Sequence, residues 1–330
     1  MSYLLRGVAA GGGIRVVAAD TTDLVSGAVE KHGATPTAGA ALGRTLTGAL
    51  LLSHVLLKNS RDRVTLRLRG DGPLGGVIAD AGLDGTVRGY VSNPHVDLPL
   101  RQDGKLDVGG GIGREGEISV VRSHAPYGDP YGSSSDLVSG EVAEDIATYL
   151  ALSEQIPSAV LLGVYFDEHR RVRRSGGVIL QALPGADEGA LTLLEANVKA
   201  LGQLTTAMAG APILDVVRDQ LLWGMDFELL TDPPLGVAFA CRCSDEKALE
   251  ALAYFTPAER KEMAEQDGGA EVVCHWCGEK RWIRADTILG IAGTEVRCPD
   301  CGTLWYRDGQ TRMVRDSELC ACGRPVVLPN

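Results

Sequence analysis

Eight cysteines constrain the fold of this chain more than any other feature, because all of them lie in its last 90 residues. They form two CxC and two CxxC pairs, which are Cys241/Cys243, Cys274/Cys277, Cys298/Cys301 and Cys320/Cys322. Two such pairs on separate turns present four soft ligands to a tetrahedral zinc ion with little chain strain. The pattern therefore predicts a dedicated metal-binding module that follows a cysteine-free region of different character.

The first 13 residues do not resemble a secretion signal, since they lack a charged start and a continuous apolar stretch. We therefore expect a cytoplasmic protein. In that reducing compartment, close cysteine pairs favour metal binding or redox chemistry over structural disulfides. A net charge of −11 opposes attraction to phosphate backbones, so nucleic acid is not the expected partner. No apolar run is long enough to predict a membrane partner.

Residues 1–183 are predicted to form a mixed α/β domain, and the 330-residue chain is long enough to divide into two or three domains. Alternating apolar residues in 64–69 and 118–121 are typical of strands, while apolar residues near helical spacing predict an amphipathic helix over Thr37–Leu57. None of the glycine clusters in this region carries a phosphate-loop pattern. We therefore expect glycine turns and no nucleotide cofactor.

Residues 184–233 are predicted to be a helical linker between two domains. The helical pattern runs from Glu188 to about Leu230 and is broken at Gly210–Pro212 and at Gly224. Two interpretations stay open from the pattern alone. The segment is either an ordinary packed helical subdomain or a linker whose apolar face is covered only while its neighbour stays folded.

Residues 234–290 are predicted to form a small zinc-binding domain, and residues 291–330 a cysteine-rich extension. A helical hairpin over Ser244–Gln266 lies between the first two cysteine pairs and would bring them together. Its second helix has a strong start, with Thr256 at the N-cap, proline next and Glu259 at the third helical position.

The residue pattern leaves the role of the metal open between a structural site and a redox switch. Structural zinc is worth about 10–16 kcal/mol in peptides, so oxidation of its thiolates would remove much of the folding energy of a small domain. Basic residues that help to hold thiolate character are present, since Arg242 and His275 lie inside the pairs and Lys280 and Arg281 follow Cys277. Ordinary zinc knuckles carry basic residues as well.

A set of motifs to about residue 290 resembles the heat-shock protein 33 family of redox-regulated holdase chaperones, also called 33 kDa chaperonins. The motifs are VAADTT at 17–22, AALGRTLTGA at 40–49, GDGPLGG at 70–76, RGYV at 88–91, DIA at 145–147, SEQIPS at 153–158, GG at 176–177, QALPGA at 181–186, CRC at 241–243 and GGAEVVCHWCG at 268–278.

The resemblance implies an α+β protein with a client-binding and dimerising α/β domain, a helical linker and a C-terminal zinc switch. In such proteins, Cys241, Cys243, Cys274 and Cys277 would bind zinc when reduced and form the disulfides 241–243 and 274–277 when oxidised. Zinc loss would unfold the switch and destabilise the linker. The exposed apolar surface would then hold unfolding client proteins without ATP.

The extension departs from the family's usual end. Cys298, Cys301, Cys320 and Cys322 predict a second zinc ion in a zinc-ribbon-like fold. Cys274/Cys277 and Cys298/Cys301 also have ribbon spacing, so a crossed arrangement of ligands stays open. We favour two sequential sites, because the first four cysteines match the family as a complete set.

The alternative function is a zinc-ribbon module that binds nucleic acid or protein and is carried on an α/β domain. An enzyme is the third possibility, but none of the histidines His32, His54, His95, His124 and His169 adjoins a nucleophile motif. Glu154 and Gln155 are predicted to cap or bridge the backbone at a helix end. We therefore expect no catalytic residues.

Overall fold

The computed structural model describes residues 1–124 and 129–291, together with the backbone of two short strands, Thr294–Arg297 and Leu304–Arg307. The chain divides into two compact units, Met1–Cys241 and Arg242–Asn330. The predicted second zinc site, with Cys298, Cys301, Cys320 and Cys322, lies outside the described residues.

The first unit contains two sheets and the helices that pack on them. Its strands are β1 (Tyr3–Ala9), β2 (Ile14–Asp20), β3 (Arg63–Gly70), β4 (Val77–Gly82), β5 (Thr86–Val91), β6 (Gly116–Ser123), β7 (Tyr131–Asp136), β8 (Ser158–Phe166), β9 (Val172–Ala182), β10 (Phe227–Leu229), β11 (Leu235–Gly236) and β12 (Ala238–Phe239). Its helices are α1 (Thr22–His32), α2 (Pro36–Leu56), α3 (Val108–Ile112), α4 (Ala143–Leu152), α5 (Glu188–Leu201), α6 (Leu204–Gly210) and α7 (Ile213–Val216), followed by a π-helical turn, Val217–Leu221.

The first sheet has the antiparallel order β10-β1-β2-β9-β8, with β11 also paired to β1. The second sheet has the order β12-β5-β4-β3-β6-β7, in which β12 runs parallel to β5. Side chains alternate between the two faces of a strand. Because both faces of the first sheet carry apolar residues, each face must pack against its own layer of protein.

Helix α2 lies in the main core and packs against strands of both sheets. The helix is apolar almost all round, and 16 of its 21 residues are buried, as expected for a helix enclosed by protein. Small residues allow this close approach. A Cβ atom at Gly43 would lie 2.6 Å from Val25 Cγ1 and one at Gly48 would lie 2.6 Å from Ile146 Cδ1. The predicted helix over Thr37–Leu57 agrees with α2 to within one residue at each end.

The predicted helical segment ends earlier than the sequence pattern suggested. Helical structure stops at Leu221, and Phe227–Leu229 forms β10 on the edge strand β1 instead. Gly224 has a φ of +81°, which permits the reversal of the chain. Gly7 of β1 leaves room for the Phe227 ring, since a Cβ there would lie 2.3 Å from that ring.

The second unit is a small αβ arrangement in the residues that the structure describes. It contains α8 (Asp245–Ala253), α9 (Pro257–Gln266), the hairpin strands β13 (Gly269–Val273) and β14 (Lys280–Arg284), and α10 (Ala285–Leu289); the two backbone strands are β15 (Thr294–Arg297) and β16 (Leu304–Arg307). Both helices of the predicted hairpin are therefore present. The Thr256 side chain caps α9, and Glu259 completes the capping box.

Candidate metal centre

The CxxC pair lies on the turn of the β13–β14 hairpin. The Cys274 N–H donates to Glu279 O at 2.9 Å, and the Gly278 N–H donates to Cys274 O at 2.8 Å. Gly278 has a φ of +70°, a conformation that glycine adopts without strain. These bonds fold residues 274–278 into a tight loop and direct Cys274 and Cys277 toward a common point.

The CxC pair lies between β12 and α8. Ser244 is the N-cap of α8, and its hydroxyl accepts a hydrogen bond from Lys247 N–H. The Lys247 ammonium group donates to the carbonyl of Arg242 at 2.7 Å. The segment that carries Cys243 is therefore held at the start of the helix by a cap and by a side-chain bond.

The sulfur atoms of Cys241, Cys243, Cys274 and Cys277 all lie within 4.8 Å of one another. The Cys243 and Cys277 sulfurs are 3.6 Å apart, well beyond the S–S bond length of about 2.0 Å. Four sulfurs at Zn–S distances of about 2.3 Å define a tetrahedron with edges of about 3.8 Å. This cluster can therefore hold a metal ion, and its donor set fits zinc.

Arg281 brings a positive charge to this cluster. Its Nη1 lies 3.4 Å from the Cys243 sulfur, and its Nε donates to Asp245 Oδ1 at 2.8 Å. The neighbouring Lys280 instead pairs with Glu271 at 3.2 Å. The sequence predicted basic residues near the cysteines without ranking them. Only the register of the hairpin shows that Arg281, and not Lys280, faces the cluster. The role of Asp245 carried no sequence signal.

A second feature is an apolar face of the first sheet that α5, α6, α7 and the π-helical turn of the predicted linker cover. Its sheet residues are Leu5, Ala9, Ile14, Val16, Ala18, Val178 and Leu180. The cover consists of Leu194, Leu204, Met208, Ile213, Val216, Val217, Leu221 and Leu222. We call these two sets the linker face and the linker cover. Both are buried while the helices remain in place.

Few polar contacts fasten the linker cover in the described residues. The Asn197 side-chain amide donates to Leu221 O at 3.1 Å and to Trp223 O at 2.9 Å. Arg174 Nε donates to Met208 O at 3.1 Å. Leu194 is the only buried residue of α5. The attachment of the linker cover is therefore mainly apolar, whereas the residues that follow it are fastened to β1 by the backbone pairing of β10.

Several of the polar groups that the sequence raised as catalytic alternatives lie in structural contacts. Glu154 pairs with Arg122 and accepts a hydrogen bond from the Tyr149 hydroxyl at 2.9 Å, so it bridges side chains rather than backbone groups. Burial, together with neighbouring Glu154, raises the pKa of Tyr149 to about 12. His32 Nε2 lies 3.0 Å from Gly89 O, and His124 pairs with Asp62.

No helix in the described part of the chain combines the length and the apolar character that crossing a membrane requires.

Known proteins resemble this chain over most of its length. The model of the Hsp33 protein family matches residues 2–284. The 33 kDa chaperonin of Thermus thermophilus is 51% identical over 339 aligned positions, which cover 100% of this chain and 98% of the relative. That alignment includes the extension, so the extension is not peculiar to this chain.

Two further relatives support the same assignment. The 33 kDa chaperonin of Deinococcus radiodurans is 45% identical, over 89% of this chain and 99% of the relative. The crystal structure of the 33 kDa chaperonin of Thermotoga maritima superposes with a TM-score of 0.78 at 32% identity, and covers 88% of this chain and 97% of that chain. The resemblance drawn from the sequence motifs is therefore confirmed, and this chain belongs to the Hsp33 family.

Proposed function

We propose that this protein is a redox-regulated holdase chaperone, which binds unfolding proteins under oxidative stress and prevents their aggregation. Cys241, Cys243, Cys274 and Cys277 bind one zinc ion in the reduced, inactive protein. Oxidation of these cysteines releases the metal and activates client binding. The observation that carries the proposal is the cluster of four sulfurs within 4.8 Å of one another.

Bound zinc would supply folding energy to the second unit and keep its four ligands as thiolates. The apolar core of that unit is small in the described residues, with Ala248, Leu252, Ile283 and Ile288 buried. A domain of fewer than about 70–80 residues, such as the predicted zinc-binding domain 234–290, rarely obtains more than about 3–5 kcal/mol from its core alone. Metal loss is therefore expected to unfold it.

Oxidation pairs the cysteines within each motif, Cys241 with Cys243 and Cys274 with Cys277. Each disulfide forms from two thiolates, which give two electrons to a peroxide, and the peroxide takes up two protons and becomes two waters. The sulfurs can then no longer act as thiolate ligands. Reduction by a dithiol restores the four ligands.

The linker cover responds because its C-terminal attachment is short. Between the π-helical turn and Cys241 the chain contributes only strands of two or three residues, β10, β11 and β12. Once the residues beyond Cys241 unfold, these short edge strands are what remains to hold that end of the linker. Opening the cover exposes the linker face, and its apolar residues are suited to bind the apolar segments of unfolding clients.

Membership of the family supports three further parts of the proposal. We propose a cytoplasmic location, a homodimer as the active form, and no catalysed reaction. A second zinc ion on Cys298, Cys301, Cys320 and Cys322 belongs to the same proposal, and brings the expected content to two ions per chain.

The test measures zinc content and suppression of client aggregation on one sample that is reduced, then oxidised with peroxide, then reduced again with zinc. We expect zinc to leave as protection appears, and both changes to reverse. A matched variant with Cys298, Cys301, Cys320 and Cys322 replaced by serine should lose one zinc ion and keep the switch. Zinc that stays bound during oxidation, or equal protection in both states, would contradict the proposal.

A further inference from the structure

We propose that Arg281 is a positioning residue that holds the Cys243 sulfur in the metal centre and lowers its reactivity toward oxidants and electrophiles. The inference rests on the proposed zinc site. It makes one side chain responsible for how fast the site reacts and releases zinc.

The position of Arg281 follows from the hairpin. In β14 it lies opposite Val272 of β13 and two residues before the buried Ile283, on the same face of the hairpin. Side chains alternate along a strand, so Arg281 faces inward with 20% of its side chain exposed, while Lys280 faces outward with 67% exposed. Two adjacent cations therefore lie on opposite faces of the hairpin.

Arg281 links the CxxC hairpin to the CxC segment. Its guanidinium group donates from Nη1 to Cys243 and from Nε to Asp245, the first residue of α8. An exposed ion pair such as Arg281–Asp245 adds little stability by itself. However, the planar guanidinium donates in fixed directions, so the Asp245 bond orients the group toward the sulfur.

The chemical effect follows from the charge of the cluster. Four thiolates and one zinc ion carry a net charge of −2, and an adjacent cation stabilises that charge. A charged N–H donor also withdraws electron density from the sulfur that accepts it, and a less electron-rich sulfur is a weaker nucleophile. Groups that bind to metal ligands in this way typically change metal affinity or activity by 10- to 100-fold.

The experiment treats the zinc-loaded, full-length protein with iodoacetamide. The sulfur attacks the methylene carbon, a C–S bond forms, and iodide leaves with the electrons of the C–I bond. A chromophoric chelator records zinc release. Trypsin cleaves after Arg242, so Cys243 lies in the short peptide 243–247, apart from Cys241 and from the peptide with Cys274 and Cys277. Mass spectrometry therefore measures Cys243 alone.

We expect Arg281→Met to accelerate alkylation of Cys243 and the associated zinc release by about 10-fold. Lys280→Met removes the same charge from the adjacent position and should leave both rates unchanged. Asp245→Asn should give an intermediate acceleration, because it keeps the Nη1 donor but removes the charge that strengthens the orienting bond from Nε. Arg281→Lys should also be intermediate, since it keeps the charge and loses the planar fork.

Equal alkylation rates of Cys243 in the wild type and in Arg281→Met would overturn the inference. An equal acceleration by Lys280→Met would also overturn it, because the effect would then depend on the total charge near the site and not on Arg281. If Arg281→Met fails to retain zinc, the comparison of Asp245→Asn and Arg281→Lys with Lys280→Met decides the matter in the same way. A reduced wild-type protein without zinc would contradict the proposed zinc site itself. A zinc-loaded wild type with unchanged variants would contradict only the role of Arg281.

Discussion

The two faces of the first sheet are formed by the same strands but are covered in different ways. One face, which includes Leu4, Val17 and Ile179, packs into the main core with α2. The other is the linker face, with residues such as Leu5 and Val178. Neighbouring residues of one strand thus enter two separate cores.

The difference between the covers is one of continuity. Helix α2 is a single 21-residue helix enclosed by protein. The linker cover consists of helices of 14, 7 and 4 residues and a π-helical turn of 5 residues. Helices this short are marginal in water without tertiary packing. One apolar sheet therefore carries a long enclosed helix on one face and a cover of short helices on the other, and only the second is suited to the proposed release.

Removal of zinc should produce the largest difference between the covers of the two faces of the first sheet. A chelator withdraws a contribution of about 10–16 kcal/mol from the second unit. We expect the amides of residues 188–221 to exchange with solvent much faster, while those of α2 stay protected. Hydrogen exchange with mass spectrometry measures both in one sample. Equal protection of the linker before and after metal removal would contradict the coupling.

Matched substitutions compare the two covers directly, because Leu50 in α2 and Leu221 in the linker cover are both fully buried. Leu50→Ala should lower the free energy of unfolding of the first unit by about 2–5 kcal/mol. Leu221→Ala removes the same atoms from the linker cover, so we expect it to favour local opening. The measurements are denaturant unfolding, and dye binding and client protection in the reduced, zinc-loaded protein.

Only Leu221→Ala should protect clients without oxidation. If Leu50→Ala did so equally, the two faces would not differ in the way proposed here.

Acid should destabilise the core around α2 by protonating His54, which lies in the last turn of that helix. Burial, with a smaller effect of positive Arg6, lowers the pKa of His54 to about 4, while Asp84 acts in the opposite direction. Both ring nitrogens are without a hydrogen-bond partner among the described residues. The folded state therefore favours neutral His54. Neutral His54 therefore makes its full contribution to the free energy of unfolding above about pH 6.5. As the pH falls toward 4, up to about 3 kcal/mol of this free energy is lost.

The check is the unfolding free energy measured between pH 7 and pH 4 for the wild type and His54→Leu. The variant should show a shallower decline over this range. Parallel curves would mean that His54 does not titrate differently in the folded and unfolded states.

Sequence patterns predicted the elements that depend on local periodicity and on short motifs. Helix α2 and the capped start of α9 follow from spacing along the chain, whereas the grouping of the first four cysteines rested on the resemblance to the family, because spacing alone left a crossed arrangement open. Pairing between distant segments was not predictable, because β10 reads as a continuation of a helix until Gly7 and Phe227 are brought together. The linker face was hidden for the same reason, since only the sheet order places Leu180 beside Val16. The selection of Arg281 over Lys280 likewise required the hairpin register.

The smallest expected effect concerns the polar fastening of the linker. Asn197→Ala removes two hydrogen bonds, one to Leu221 O and one to Trp223 O. Water can solvate the carbonyl of the exposed Trp223, so the net cost should be near 1 kcal/mol, which raises the population of the open linker about fivefold. Thr192→Ala is the matched control, because its hydroxyl bonds only to Glu188 O within α5. Hydrogen exchange in residues 213–221 should accelerate for Asn197→Ala and not for Thr192→Ala. Equal rates in the two variants would mean that the linker cover is held by its apolar contacts alone, and the threshold for release would then lie entirely in the metal centre.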